Sequence, residues 1–343
     1  MPPSSLQPPY TRRLKWVWAG NRTFTIVPVY NAGELLRPCL SSLTNQTLRD
    51  IEIILVSDCP TDGSDKVCED FASKDNRIKI LRNEHNLHIG ESRNRGLEAA
   101  TGEYVGFSDD DDYQEPFMYE HLYRKAKEND YDMVVSMDTH VEQGQTFTMD
   151  IPMQADVNPC DYFLRDLLSE GAARRDFPLC TNIHPHLYKR AIIEQNGLKF
   201  GDTKKITAED RLWNIQFLLQ SKNIGILREQ LYYHRNNPNS EGLRKGSGYR
   251  TEEKIMAYLL GIYYLLKEEQ ATDKFRRDFL IGAMSELMNM LGYSLTMDKS
   301  LPKFLRLRKD VRHLPFGRDA IKTWKRPDLN PSSIVRSVIK LTI

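Results

Sequence analysis

The sequence predicts an α/β protein: a mostly parallel sheet flanked by helices, followed by an α-helical C-terminal extension. Short β-rich runs alternate with helix-like segments through the first half of the chain, and two long apolar stretches with helical spacing lie in the last third. With 343 residues, 40% of them hydrophobic, the chain is long enough to bury a core in one large domain or two modest ones. Tandem strand and helix units require crossover connections, and these place the strands parallel.

The first half is predicted element by element from hydrophobic periodicity. The run from Thr23 to Val29 (TFTIVPV) is β-rich, and the apolar residues between Glu34 and Leu48 recur at helical spacing. The same reasoning predicts later strands over 51 to 57 (IEIILVS), 77 to 83 (RIKILRN), 103 to 108 (EYVGFS) and 131 to 137 (YDMVVSM). Helices are expected between them, over 62 to 74, over 89 to 100 and from Pro116 onward.

The pattern weakens from about Asp138 to Asp176, where only 162 to 168 favours a helix. Beyond it, we expect a strand or turn and a helix within 182 to 200, and further helices over 207 to 220, 255 to 266 and 279 to 295. These elements predict a lead segment (1–22), an α/β domain (23–245, with halves 23–137 and 138–245) and a helical extension with a basic tail (246–343).

Composition narrows the class of protein. Lys and Arg total 48 against 47 Asp and Glu, so the overall charge gives no reason to expect a nucleic acid partner. The five scattered cysteines form no CxxC pair, which argues against a disulfide framework or a thiolate zinc site and favours a reducing compartment. No apolar stretch has the length of a signal peptide or of a membrane span, so we expect a cytoplasmic protein.

Polar clusters follow three of the predicted strands: Tyr30-Asn31 after the first, Asp58 after the second and Asp109 to Asp112 after the fourth. In open parallel sheets, ligands bind outside the carboxyl ends of the strands, so these clusters are expected in one crevice. Four consecutive aspartates repel one another unless a cation holds them, although a solvated acidic turn is the alternative. Mg²⁺ and Mn²⁺ commonly bridge carboxylates to substrate phosphates. An EF-hand loop is excluded because Gln114 occupies the glycine position, and the sequence has no P-loop or dinucleotide fingerprint.

Four stretches together resemble the signatures of the family 2 glycosyltransferases, which have the GT-A fold. They are TIVPVYNAGELLRPCLSSLTNQTLRDIEIILVSDCPTDGS, NLHIGESRNRGLEAATGEYVGFSDDDDYQEP, LYKRAIIEQNGLKF and AEDRLW. The resemblance is dense from Thr23 to about Asp132 and recurs from about Ile183 to Ser240. It implies an inverting, metal-dependent transfer of a sugar from a nucleotide-diphosphate donor to a hydroxyl of a glycan or lipid-linked acceptor, in surface polysaccharide synthesis. UDP-hexose is the default donor, and its N-acetylated forms stay open.

The resemblance also implies roles for residues of the first half. Pro28, Val29 and Tyr30, with Asn31, line the pocket of the nucleotide base, and Asp58 contacts the base. The residues after Asp58 depart from the family's Gly-Ser, because this chain has Cys59-Pro60, a stiffer turn. Arg93 in ESRNRG matches the family's arginine, which reaches the base or the phosphates.

In the family's register, FSDDDDYQEP places Asp109 and Asp111 as the DxD pair, with Asp110 in the variable position of the nucleotide-sugar site. The resemblance assigns Asp109 to the ribose and the metal, and Asp111 to a Mn²⁺ or Mg²⁺ ion on the diphosphate. Asp112 is expected to shape the following turn.

Three sites are expected in the second half. Glu209 and Asp210 match the family's ED pair, with Asp210 as general base, although both also favour a helix N-terminus. In YYHRNNPNS (232–240), Arg235 is expected at a phosphate and His234 as a further metal ligand or a structural residue. His184 and His186 are expected on the acceptor side or in a structural role.

The sequence leaves open two other classes of protein and one possible partner, a membrane. A nucleotidyltransferase would need a Gly-rich, basic phosphate loop, and VYNAGELLRP has one Gly and one Arg. A noncatalytic nucleotide-sugar-binding module would have lost DxD or ED, and both are present. Between Leu301 and Arg326, nine Lys and Arg face two acids, a composition that suits either a solvated face or peripheral contact with an anionic membrane.

Overall fold

A computed structural model describes residues 23–142, 145–148, 151, 157–169, 182–237, 240, 251–296 and 298–324. The predicted lead segment (1–22) and the part of the basic tail after Trp324 lie outside the described residues. None of the described helices is long and apolar enough to cross a bilayer.

The predicted alternation of strands and helices in the first half is confirmed. Its elements are β1 (Thr23–Val29), α1 (Leu36–Thr44), β2 (Ile51–Ser57), α2 (Ser64–Ala72), β3 (Ile78–Arg82), α3 (His88–Ala99), β4 (Tyr104–Phe107), β5 (Tyr113–Gln114), α4 (Met118–Glu128) and β6 (Met133–Glu142). The two-residue strand β5 was not expected, and a 3-10 turn over Gly33–Leu35 precedes α1.

The second half contains β7 (Gln145–Thr148), α5 (Pro159–Ser169), β8 (His186–Lys189), α6 (Arg190–Gln195), α7 (Glu209–Gln220), β9 (Ile224–Arg235), α8 (Glu252–Glu268), α9 (Thr272–Thr296), α10 (Leu301–His313) and α11 (Gly317–Trp324). The helices within 182–200 and 207–220 are confirmed. Strand β9 continues to Arg235 and so includes the first four residues of the segment YYHRNNPNS (232–240). The domain boundaries stay a prediction.

One mixed sheet organises the described residues. Its strand order is β3-β2-β1-β4-β8-β6-β9-β5, with β7 paired to β6 outside this path. Strands β1 to β4 pair in parallel, as predicted, and β6 and β9 are also parallel. Strand β8 lies antiparallel between β4 and β6, which joins the two halves of the chain in one sheet.

Helices cover both faces of this sheet, in agreement with the predicted fold class. Alternate residues of β1 enter different cores: Phe24 and Ile26 pack on one side, and Val27 and Val29 on the other. The second side holds α1 and α4, whereas the first holds α5, α7 and the C-terminal helices. Because both faces of β1 and β2 are buried, their carboxyl ends are fixed in position.

Candidate active site

The polar clusters predicted at the strand ends do meet. The backbone N–H of Tyr30, after β1, donates to Oδ2 of Asp110, after β4, at 2.9 Å. The Asn31 side-chain oxygen accepts from the backbone N–H of Thr61, after β2, at 2.7 Å. The three strand ends therefore form one site, as the parallel order β2-β1-β4 requires.

Backbone strain is concentrated around this site. Asn31, Cys59 and Ala208 have φ angles of 52°, 60° and 51°, in the left-handed region that residues with a Cβ adopt at a cost. Cys59 stands where the family that this chain resembles has glycine, so a residue with a Cβ adopts this left-handed conformation at a cost. Ala208 immediately precedes α7 and directs Glu209 and Asp210. Strain of this kind persists where the surrounding structure fixes it, and it is frequent at functional sites.

The aspartate loop (Asp109 to Asp112) provides candidate cation ligands. Carboxylate oxygens of Asp109, Asp111 and Asp112 lie within 4.8 Å of one another. Asp112 is buried, and its carboxylate accepts from Tyr232 Oη at 3.0 Å, from the His234 ring at 2.8 Å and from the Arg235 backbone at 2.9 Å. Protein donors already occupy the carboxylate of Asp112. The oxygen donors best placed for a hard divalent cation are therefore those of Asp109 and Asp111.

Charge repulsion acts unequally on the aspartates. Burial, with the Asp109 and Asp112 charges, raises the pKa of Asp111 to about 6. Burial and the Asp111 charge raise the pKa of Asp110 well above its usual range. Burial opposes the ionisation of Asp109, but nearby His184 and Arg93 hold its pKa well below its usual range. Repulsion from the neighbouring aspartates thus acts on Asp111, which is the condition that a bound metal ion would relieve.

Arg93 links the aspartate loop to α7. Its guanidinium is 2% exposed and donates to Asp109 Oδ1 at 3.1 Å and to Glu209 Oε1 at 2.9 Å. The cation therefore bridges carboxylates from opposite halves of the chain, 116 positions apart in the case of Glu209. The expectation that Arg93 reaches the base or phosphates stays a prediction, because both contacts are internal.

Glu209 and Asp210, the ED pair at the start of α7, lie in different environments. Glu209 is buried against Arg93, and burial together with the Asp210 charge raises the pKa of Glu209 while Arg93 opposes the shift. Asp210 is only partly buried, and its Oδ1 accepts from the N–H of Arg211 at 2.7 Å. Asp210 is therefore the carboxylate of the pair that a substrate can reach, whereas Glu209 supports the site.

Pro28 and Val29 are buried within β1, whereas Tyr30 is 50% exposed, and the predicted lining of the base pocket by these residues stays a prediction. Asp58 is also buried, and its carboxylate accepts from the Asn83 side chain at 2.6 Å and from the N–H groups of Leu87 and His88 at 2.7 and 2.9 Å. These bonds fix the start of α3, which gives Asp58 a structural role. Its contact with a base stays a prediction.

Two residues at the end of β9 contact the aspartate loop. The guanidinium of Arg235 donates to backbone carbonyl oxygens of Asp111, Asp112 and Leu35, and its contact with a phosphate stays a prediction. His234 contacts Asp112 through Nδ1 and the Asn182 side chain through Nε2, and it is absent from the cluster of candidate metal ligands in the described residues. Both residues hold the aspartate loop in shape.

Three contacts of the aspartate loop were not predicted from the sequence. His184 Nε2 lies 2.9 Å from Asp109 Oδ1, a contact with the aspartate loop that agrees with the structural alternative for His184. Tyr232 Oη accepts from the Asp109 backbone N–H at 3.0 Å, and Asn237 donates to Asp111 Oδ2 at 2.8 Å. Only the local excess of polar and aromatic residues in YYHRNN indicated that this segment takes part.

Comparison with known proteins identifies the family. The model of the family described as glycosyl transferase family 2 matches residues 25–186. The uncharacterized glycosyltransferase EpsJ of Bacillus subtilis (strain 168) is 33% identical over 322 residues, 88% of this chain and 89% of EpsJ. The chain belongs to glycosyltransferase family 2.

Two further proteins are similar to this family 2 glycosyltransferase, one in sequence and one in structure. The poly(ribitol-phosphate) beta-N-acetylglucosaminyltransferase TarP of Staphylococcus aureus (strain N315) is 29% identical over 212 residues, 61% of each protein. The crystal structure of S. aureus TarS 1-349 in complex with UDP superposes with a TM-score of 0.65 at 21% identity, over 94% of this chain and 88% of that one. The second similarity shows the fold, and it confirms GT-A.

Proposed function

We propose that this family 2 glycosyltransferase is an inverting, metal-dependent enzyme that moves a sugar from a UDP-linked donor to a hydroxyl of a glycan or lipid-linked acceptor. The observation that carries the proposal is the buried bridge Asp109–Arg93–Glu209, because it joins the aspartate loop to the helix that bears Asp210. A donor diphosphate at the loop and an acceptor at α7 would then be neighbours. UDP in the TarS structure supports the donor, and the name of TarP supports an acceptor in a surface polysaccharide and a hexosyl or N-acetylhexosaminyl donor.

Each residue has a proposed task. Tyr30 is the exposed aromatic ring beside the loop, and we assign it to the nucleotide base. Asp109 and Asp111 would hold Mn²⁺ or Mg²⁺, and Asp109 would also contact the ribose. A divalent cation bound there would supply positive charge to the departing diphosphate. Burial and the Asp111 charge raise the pKa of Asp110, which favours its neutral form, and its carboxylate oxygen accepts from the N–H of Tyr30.

The chemical step uses Asp210. Its carboxylate takes the proton of the acceptor hydroxyl while that oxygen attacks the anomeric carbon from the face opposite the diphosphate. A carbon–oxygen bond to the acceptor forms, the bond to the phosphate oxygen breaks, and the nucleoside diphosphate leaves. Arg93 and Glu209 fix the start of α7, so positioning of Asp210 accounts for part of the rate.

A donor screen tests this proposal. Release of nucleoside diphosphate is measured from UDP-glucose, UDP-galactose, UDP-N-acetylglucosamine and GDP-mannose, each with Mn²⁺ and simple sugar acceptors. We expect release from a UDP-sugar, reduced by about 10²- to 10⁴-fold in Asp210→Asn. Release from GDP-mannose alone would refute the UDP assignment, and equal rates for wild type and Asp210→Asn would refute the general base.

We also propose that α10 brings the enzyme to the cytoplasmic face of an anionic membrane. Leu301 and Leu305 are 59% and 49% exposed, and the exposed Arg306 and Lys309 lie on the same helix. The remaining apolar residues of α10 are buried in the core: Phe304, Leu307 and Val311. Apolar residues interspersed with cations suit the surface of an anionic bilayer.

Sedimentation with vesicles of phosphatidylglycerol and phosphatidylcholine tests this contact. Each cation near an anionic surface contributes about 1 kcal/mol, so Arg306→Gln/Lys309→Gln should weaken binding about 30-fold. The matched control neutralises two exposed lysines elsewhere, Lys74→Gln/Lys204→Gln. Equal losses in both double variants would mean that overall charge, and not α10, determines binding.

A further inference from the structure

The carboxylate of Asp109 is held on one side only. Its Oδ1 accepts from Arg93 at 3.1 Å and lies 2.9 Å from His184 Nε2, whereas Oδ2 has no hydrogen-bond partner among the residues that the structure describes. Arg93 and His184 are almost fully buried, and the Asp109 side chain is 27% exposed. The open oxygen is therefore the one that a ligand can use.

The two donors to Oδ1 differ in the other contacts that they make. Arg93 shares its guanidinium between Asp109 and Glu209, so its position depends on both halves of the site. His184 Nε2 also lies 3.5 Å from the Arg93 guanidinium, and its Nδ1 is buried and unpaired within the described part of the chain. An ionised carboxylate has no hydrogen to donate, so His184 must carry its hydrogen on Nε2 to bond Asp109.

His184 is itself held rigidly. Its ring stacks on Tyr232 with centroids 5.3 Å apart and an interplanar angle of 17°. The hydroxyl of Tyr232 accepts from the Asp109 backbone N–H, so one stacked pair fixes both the main chain and the carboxylate of Asp109. The next residue, Pro185, is fixed through its carbonyl oxygen by the N–H and hydroxyl of Ser136 at 3.0 and 2.8 Å.

We propose that His184 is a positioning residue that holds Oδ1 of Asp109 and thereby leaves Oδ2 directed to the nucleotide diphosphate and its cation. The inference rests on the proposed function of the aspartate loop and assigns to it a supporting residue that has no contact with substrate. His184 then determines donor affinity through Asp109, while Asp210 and its proton transfer are unaffected.

Two substitutions separate the roles of the ring. His184→Phe keeps an aromatic ring for stacking on Tyr232 but removes the Nε2–H donor, whereas His184→Gln retains an amide N–H at a similar distance. The matched control is His121→Phe, which removes a partly buried histidine from α4 that pairs with Glu229. The probe is UDP with Mn²⁺, titrated calorimetrically, together with steady-state kinetics on the UDP-sugar that the donor screen identifies.

We expect His184→Phe to weaken UDP binding at least about tenfold and to raise the donor KM with kcat within about threefold of wild type. His184→Gln should recover most of the affinity, and His121→Phe should match wild type. Wild-type affinity in His184→Phe, or equal losses in the Phe and Gln variants, would overturn the assignment. Absence of UDP binding by the wild type would instead contradict the proposed function itself.

A measurement on the unmodified protein guards against misfolded variants. Nitrogen-15 NMR of the histidine rings reports which ring nitrogen of His184 carries hydrogen, with His184→Gln used only to assign the signal. Hydrogen on Nε2 is expected. A ring protonated at Nδ1 alone could not donate to Asp109 and would overturn the inference.

Discussion

Replacing Arg93 by Met removes a cation that pairs with carboxylates from both halves of the site. The Arg93 and Glu209 side chains are 3% and 4% exposed, and their atoms lie 2.9 Å apart. Removal of one member of a buried ion pair leaves the other charge uncompensated and costs about 3–5 kcal/mol. Because His184 still pairs with Asp109, the loss in Arg93→Met should come mainly from Glu209 and lie near the lower limit.

A double-mutant cycle measures this coupling. Arg93→Met, Glu209→Met and the double variant are unfolded in urea, with fluorescence and circular dichroism required to give coincident transitions. The double variant should be less destabilised than the sum of the single variants by about 1.5–3 kcal/mol. The control cycle uses the exposed pair Arg82 and Glu69, where coupling should be about 0.2–1 kcal/mol. Equal coupling in the two cycles would refute the structural role of the buried bridge.

Three further predictions concern the loop, the base and the packing. In EDTA, Asp111→Asn should raise the thermal midpoint at neutral pH, because the raised pKa of about 6 means that ionised Asp111 destabilises the folded wild type. The gain should shrink as the pH falls below about 6 and vanish near the ordinary carboxyl value of 3.8, below which the folded and unfolded forms are both protonated; a pH-independent gain would contradict this. Tyr30→Ala should weaken UDP binding about tenfold, with Tyr30→Phe and the exposed-ring control Phe117→Ala unaffected. Gly90→Ala should lower the free energy of unfolding by about 1–3 kcal/mol, because the added Cβ would lie 2.3 Å from a backbone oxygen. The control Gly261→Ala should not be destabilised, because no atom would lie closer than 3.7 Å to its Cβ.

Local sequence determined what could be predicted of the fold. Strands β1 and β2 are buried on both faces, so they appear as continuous apolar runs and were found with correct bounds. Strand β9 alternates between buried and exposed residues irregularly, and its pairing with β6 contains register shifts, so its periodicity is obscured. The basic tail concealed α10, although Phe304, Leu307 and Val311 have helical spacing.

In the site too, local features could be predicted from the sequence and long-range contacts could not. The aspartates lie together in sequence, and repulsion among them is enough to predict a cation. The pairing of Arg93 with Glu209 and of His184 with Asp109 depends on tertiary packing across 116 and 75 positions, which no local pattern contains. The buried carboxylate of Asp58 could not be distinguished from a ligand-binding one, because only the structure shows that backbone and side-chain donors satisfy it.

The most direct test of the central claim is calorimetric titration of UDP into wild type and Asp111→Ala, each with Mn²⁺ and with EDTA. We expect UDP to bind the wild type only when Mn²⁺ is present, and Asp111→Ala to bind in neither condition. UDP binding that is the same in all four titrations, or absent from the folded wild type with Mn²⁺, would contradict a cation-held nucleotide diphosphate at the aspartate loop.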